Sequence, residues 1–170
     1  MTDSESDGRI GRATLADLDR LATLWVDLAR DQRAYGSHLA AEANRTPVRE
    51  ALAHHVVTDG VRVARDDDAI VGFVTFGLEH GEYEQTVTRG VVHNLFVTPA
   101  ARGCGLGSAL LAAAESALTD SGADVVSLEA MAGNERARRF YERHGYEVHR
   151  VELEKPTNPA RNDTHSKEDR

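Results

Sequence analysis

One stretch constrains this chain more than any other. An apolar strand pattern, VVHNLFV at 91–97, runs into the glycine-rich bend TPAARGCGLGS and on into the Ala/Leu helix pattern ALLAAAESAL. A helix that begins at a glycine bend turns unpaired backbone N–H groups, and the positive end of its dipole, toward whatever occupies the bend. Gly103, Gly105 and Gly107 carry no Cβ, so positive φ angles cost little and an anion can approach the main chain closely. The pattern points to a site for a phosphate-bearing cofactor on a strand–bend–helix unit.

Three phosphate-binding patterns compete for this segment. A Walker-type loop ends in Gly-Lys-Ser/Thr, and no lysine lies near this bend. A dinucleotide fingerprint would use Gly103 and Gly105, with Glu129 at the end of the next strand pattern as the ribose acid. Its third glycine would fall at Ser108, and too little chain follows Glu129 to complete a doubly wound nucleotide domain. The third pattern fits best. Val97-Thr98-Pro99 precedes Ala100-Ala101-Arg102-Gly103-Cys104-Gly105, and downstream stands Asn134-Glu-Arg-Ala137-Arg-Arg-Phe140-Tyr141-Glu142-Arg-His-Gly145-Tyr146. Together these resemble the two linked motifs of the GNAT superfamily of N-acetyltransferases. The first is Q/R-x-x-G-x-G/A after a strand, the second N-x-x-A-x-x-F/L-Y-E-x-x-G-F/Y. The likeness is tight from Val91 to Tyr146 and general before that. One position departs: Ala100 stands where the family carries Gln or Arg.

The resemblance implies acetyl-CoA as co-substrate. Its pyrophosphate is expected on the bend formed by Arg102, Gly103, Cys104, Gly105, Leu106, Gly107 and Ser108. With backbone amides carrying most of the contact, the loss at Ala100 is one side-chain contact, and Arg102 can supply a cation. The pantetheine arm is expected along Leu95, Phe96 and Val97, in a cleft where that strand splays from the strand at Val125–Ala130. Asn134 resembles the residue that contacts the CoA chain, and it also reads as a plain N-cap. Tyr141 carries over onto the family's general acid at the sulfur, and the amide of Leu95 onto the donor that polarises the thioester carbonyl.

The base is less determined. An alkylamine with a pKa near ~10.4 loses its proton at a cost of about 4–5 kcal/mol at pH 7, so a positioned base lowers the barrier. His93 is the first candidate. Several relatives carry Glu or His there, its reference pKa of ~6.5 suits the task, and its even spacing from Val97 puts both on one strand face. Glu129 is the second, followed by Glu79, Glu82 and Glu84 in the connection EHGEYEQ. A metal reading of Glu79-His80-x-Glu82 yields to a solvated loop, so no metal is expected. His54, His55, His144 and His149 show no partner spacing and read as surface residues. Cys104 reads as a small loop residue whose amide matters more than its sulfur.

The resulting expectation is an α/β fold of mixed type: a central, mostly antiparallel, twisted sheet with helices on both faces. It spans residues 9–155 as a single domain, with a disordered lead-in at 1–8 and a flexible polar tail at 156–170. The expected activity is acetyl transfer to a primary amine in a ternary complex. A non-catalytic acyl-CoA sensor is the alternative, and a dinucleotide-binding protein a distant third. Retention of both His93 and Tyr141 favours the enzyme.

Charge narrows the partners. A formal net charge of −8 disfavours nucleic acid, whose phosphates demand basic patches. No apolar run approaches the roughly eighteen residues that span a bilayer, and the acidic N-terminus is unlike a signal peptide, so a cytoplasmic location is expected. A single cysteine, Cys104, excludes an internal disulfide and fits a reducing compartment. Lysine occurs only at Lys155 and Lys167 amid many acids, a balance suggesting a salt-rich cytoplasm. A thermal midpoint that ignores molar KCl would remove that suggestion. The resemblance implies an acceptor that is a small amine or a protein amino group, selected by Arg30–Asp59 and Glu79–Gln85. The acids of the second segment suit a cationic amine such as a polyamine or an aminoglycoside.

Secondary-structure signals follow the same scheme. Arg9–Ala13 reads as a strand, and Thr14 with Asp17 as a helix start ahead of Leu15, Leu18, Leu21, Leu24, Trp25 and Leu28. Asp31–Arg45 has no period. Thr46-Pro47 opens a second helix that stops near Asp59-Gly60. Strands at Val61–Arg65 and Ala69–Leu78 flank an acidic turn, and strand Val87–Val97 leads to the helix Leu106–Ser121 and the strand Val125–Ala130. A helix from Asn134 to Gly145 and a last strand, Tyr146–Leu153, complete the pattern, with a homodimer through that strand as a possible assembly.

Overall fold

The computed structural model describes residues 9–158. The expected lead-in at 1–8 and most of the expected tail lie outside them. The chain forms two compact units, one ending at Asn134 and the other beginning at Glu135.

The first unit is built on a five-stranded sheet. Its strands are β1 (Ile10–Arg12), β2 (Val61–Asp66), β3 (Ala69–Leu78), β4 (Arg89–Val97) and β5 (Val125–Leu128), adjacent in that same order. The first four pair antiparallel, and β5 runs parallel to β4. A parallel pair needs a crossover, here the helix α3 (Leu106–Asp120). Ahead of the sheet's centre come α1 (Leu18–Arg33) and α2 (Arg45–Val57). The start of α1 is pinned as its sequence suggests. Thr14 donates its amide to the Asp17 carboxylate at 2.8 Å, and Arg65 of β2 donates to the same group at 2.8 Å.

The two faces of the sheet are covered differently. Leu18, Leu21, Ala22 and Leu24 of α1 and Leu52 of α2 pack with Val61, Val63, Phe73 and Phe96. On the other face α3 buries Leu106, Leu110, Leu111, Ala114 and Leu118. Its close approach depends on small residues: a Cβ on Gly90 would stand 2.9 Å from the Leu118 side chain, and one on Gly72 3.2 Å from Leu110. Burying a leucine stabilises by about 1.5–3 kcal/mol, so this face anchors α3, and with it the bend at its start, against β4.

In the second unit α4 (Glu135–Arg143) carries an aromatic cluster. Phe140, Tyr141, Tyr146 and His144 lie with ring centroids 4.4–5.8 Å apart. The expected last strand does not form. Residues 146–155 belong to no ladder of the sheet, and Val148, Val151 and Leu153 stand exposed. The alternation expected there slips between Val148 and Val151, which puts Tyr146 and Val148 on one face and Val151 and Leu153 on the other, and a strand also needs a partner edge for its backbone.

Candidate active site

The bend is made by backbone conformation. After β4 ends at Val97, Thr98 donates its amide to Val71 O at 2.8 Å, and Pro99–Ala101 make one tight turn. Gly103 and Gly105 then take φ of +86° and +84°. A Cβ on Gly103 would meet nothing within 4 Å, so glycine is required there for its left-handed conformation and not for space. Gly105 is the N-cap of α3, and no side chain caps the helix. The first helical bond is Ala109 N–H to Gly105 O at 3.0 Å, so the first turn of α3 starts at the bend, with the amides of Leu106 and Gly107 directed along the axis toward it. Gly107 is helical. Cys104 turns its thiol back onto Ala101 O at 3.1 Å.

Arg102 sits in the bend but spends its guanidinium elsewhere. Its Nε donates to Val97 O at 2.8 Å, one Nη lies 3.5 Å from Asp31, and the plane lies 5.5 Å from the Phe96 ring centroid. The side chain fastens the bend to β4 and α1.

Beside the bend, two parallel strands part. The β4–β5 ladder runs from Arg89↔Val125 to Val92↔Leu128 and stops, while β4 continues to Val97 along β3. On its β5 side the stretch His93–Val97, including Leu95 and Phe96, has no strand partner from β5. The next pair in that register would be His93 with Glu129, so these two stand where the strands separate.

His93 is also a bulge. Thr75 pairs with Asn94 and Phe76 with Val92, leaving His93 as the extra residue of β4. A bulge re-aims its side chain and breaks alternation. The even-spacing argument that put His93 and Val97 on one face therefore fails: Val97 is buried and His93 is the only exposed residue of β4. Asn94 anchors the bulge by donating to Thr75 Oγ1 at 2.8 Å, and Thr75 is the one fully buried polar side chain among the described residues.

His55 is the residue that sequence reasoning missed. It lies in the last turn of α2, half-buried, with its ring centroid 5.5 Å from that of His93. It is no isolated surface histidine. Gly60 lets it sit there, because a Cβ on Gly60 would stand 3.2 Å from His55 Nδ1 and 2.5 Å from Phe76 O. Desolvation holds His55 below the usual histidine value, with His93 and then His54 adding to the effect. Although His93 is exposed, its ring is shielded enough that desolvation lowers its pKa too, and the Glu129 carboxylate opposes that shift. The structure thus brings together His93, Glu129 and His55 from three separate segments. Glu79 is engaged instead by Arg89 at 3.1 Å and by Gln85 at 3.1 Å, while Glu82 and Glu84 are exposed.

In the second unit, burial pushes the Tyr141 phenol up to about 12. Asn134 directly precedes α4, and its amide donates to Met131 O at 2.9 Å. His144 lies 2.7 Å from Phe140 O within α4, and His149 is exposed.

Comparison with known proteins identifies the family and the fold. The model of the acetyltransferase (GNAT) family matches residues 23–146. An uncharacterized N-acetyltransferase of Archaeoglobus fulgidus is 31% identical over 134 residues, 78% of this chain and 88% of that protein. The aminoalkylphosphonate N-acetyltransferase of Salmonella typhimurium is 29% identical over 140 residues, 79% of this chain and 81% of that one. Among solved structures, a tetramutant protein of Bacillus halodurans superposes with a TM-score of 0.75 at 23% identity, covering 86% of this chain and 98% of its own. A GCN5-related N-acetyltransferase of Ralstonia eutropha superposes at 0.69 and 23% identity, covering 86% and 96%; both likenesses speak to fold. No helix among the described residues is long and apolar enough to cross a membrane. With a family match over most of its length and relatives named for the same reaction, the chain belongs to the GNAT acetyltransferase family.

Proposed function

We propose that this protein moves the acetyl group of acetyl-CoA to a primary amine by direct attack, with both substrates bound together. The observation that carries the reading is the parting of β4 from β5 beside an uncapped, glycine-started helix. An extended arm fits along an unpaired strand edge, and a diphosphate fits the amides of a helix N-terminus. In this reading the main chain of Gly103–Ser108 holds the diphosphate, Leu95–Val97 guide the pantetheine, and Asn134 contacts the same chain. Arg102 reaches the phosphates only by leaving Asp31, so its share is small.

The co-substrate supplies an activated acetyl thioester. His93, neutral at pH 7, takes the proton that the attacking amine gives up. The Leu95 amide is the donor to the carbonyl oxygen, a role worth about 2.7–4 kcal/mol in comparable sites. As the new C–N bond forms and the C–S bond breaks, Tyr141 provides the hydrogen bond that the departing sulfur needs. A phenol near 12 is a much weaker acid than a thiol at ~8.5. Tyr141 therefore stabilises the developing charge as a donor and yields its proton late.

The acceptor class follows from the walls of the site. His55, His93 and Glu129 favour an uncharged amine nitrogen at the reacting position with a cation-tolerant carboxylate beside it. Aminoalkylphosphonates enter as candidates through the Salmonella relative, alongside polyamines, aminoglycosides and peptide N-termini. A thiol-release assay with acetyl-CoA against these amines tests the proposal. Amine-dependent release is expected for at least one class; coenzyme A binding without any amine-dependent release would favour a sensor.

A further inference from the structure

We propose that His55 is a positioning residue for the base: its ring packs against the His93 imidazole, on which the Glu129 carboxylate also acts. These two neighbours together set the pH at which His93 can take a proton. The inference rests on reading His93 as the base, but its direct test does not.

The geometry is a bulged residue of β4 with one ring neighbour from α2 and one carboxylate neighbour just after β5. The last turn of α2 brings the His55 ring to 5.5 Å from the His93 ring, tilted by 47°. The break in the β4–β5 ladder leaves Glu129 beside His93, close enough for its charge to act on the imidazole. The bulge itself fixes the direction, since His93 has no pairing residue on β3. His55 serves the helix end through its main chain, accepting from Gly60 N–H at 2.7 Å, while its ring faces His93.

The charges around the pair can be named. On α2, the His54 ring lies 6.3 Å from His55. After β5 stands Glu129. On β2, Arg62 stacks 5.3 Å from the Phe76 ring centroid and is neutralised by Asp59 at 2.9 Å. An aromatic cover removes water and disfavours the imidazolium, whereas a carboxylate favours it. The two neighbours therefore pull in opposite directions. Removing the cover should raise the titration of His93, and removing the carboxylate should lower it.

The experiment is an NMR titration of the His93 C2–H resonance in the full chain, assigned with His93→Gln. In His55→Ala, His93 should titrate higher by about half a pH unit or more; in Glu129→Gln it should titrate lower by a similar amount. His55→Phe keeps the ring cover and should stay nearer the wild type than His55→Ala, which separates cover from loss of fold. The double variant His55→Ala/Glu129→Gln should return toward the wild-type value. Identical His93 titrations in all variants would overturn the proposal, as would shifts of the same sign in both singles. A rate profile that ignores His93's measured shifts would instead discredit His93 as the base and leave the coupling intact.

Discussion

The glycine bend and the histidine corner lie on the same strand pair yet are built from opposite materials. The bend works through main chain: two left-handed glycines and a helix start without a side-chain cap. The corner works through side chains from α2, β4 and the end of β5, brought together by a bulge and a parting of strands. A main-chain site cannot be titrated and is lost only by changing backbone conformation. A side-chain site is tuned by its neighbours and responds to pH. The difference predicts which substitutions touch co-substrate binding and which touch chemistry.

The largest effect should come from the corner. His93→Gln should lower kcat by about 10²–10⁴-fold while leaving the KM for acetyl-CoA within a factor of about two, as expected where only proton transfer is removed. Steady-state kinetics in both substrates measures this; a matched loss in acetyl-CoA affinity would erase the division of labour.

Tyr141→Phe should reduce kcat by about tenfold or more, with little change in coenzyme A affinity measured by calorimetry. The same variant has a stability signature. The folded pKa of Tyr141, about 12, lies above the unfolded value of ~10. Its contribution is therefore complete below pH ~10 and is lost as pH rises from there through 12, amounting to about 2–3 kcal/mol. Denaturant melts across that window should fall for the wild type and be flatter for the variant.

Changes at the bend should spare chemistry. Gly105→Val places a β-branched residue at φ +84°, costing about 1–3 kcal/mol of stability and weakening coenzyme A binding, with kcat at saturating acetyl-CoA little changed. Arg102→Gln should have the smallest effect, under about threefold in coenzyme A affinity, because its exposed pairing with Asp31 contributes little and the proposed diphosphate site is built from amides. A tenfold loss would give the arginine the role expected from its position in the motif.

The contrast also explains what could be read from the chain alone. The bend is contiguous, so its residues declare themselves: glycines at 103 and 105, a strand before, an Ala/Leu helix after. The capping pair Thr14 and Asp17, the acidic hairpin turn and the core stripe of α1 were legible for the same local reason. His55 was not, because its partner is far away in sequence and the bulge that turns His93 toward it leaves no mark on spacing. That bulge also defeats face counting, which assumes unbroken alternation along β4. The segment 146–155 shows the converse: its apolar residues suggest a strand, yet their alternation slips between Val148 and Val151, and no local pattern encodes an edge to pair with.

Amide chemical-shift mapping during titration with coenzyme A tests the central claim most directly. The largest changes should fall at Leu95–Val97 and at Gly103–Ser108, with His55 and His93 moving less. Saturable binding that leaves the amides of 103–108 unmoved would contradict a main-chain diphosphate site at the start of α3.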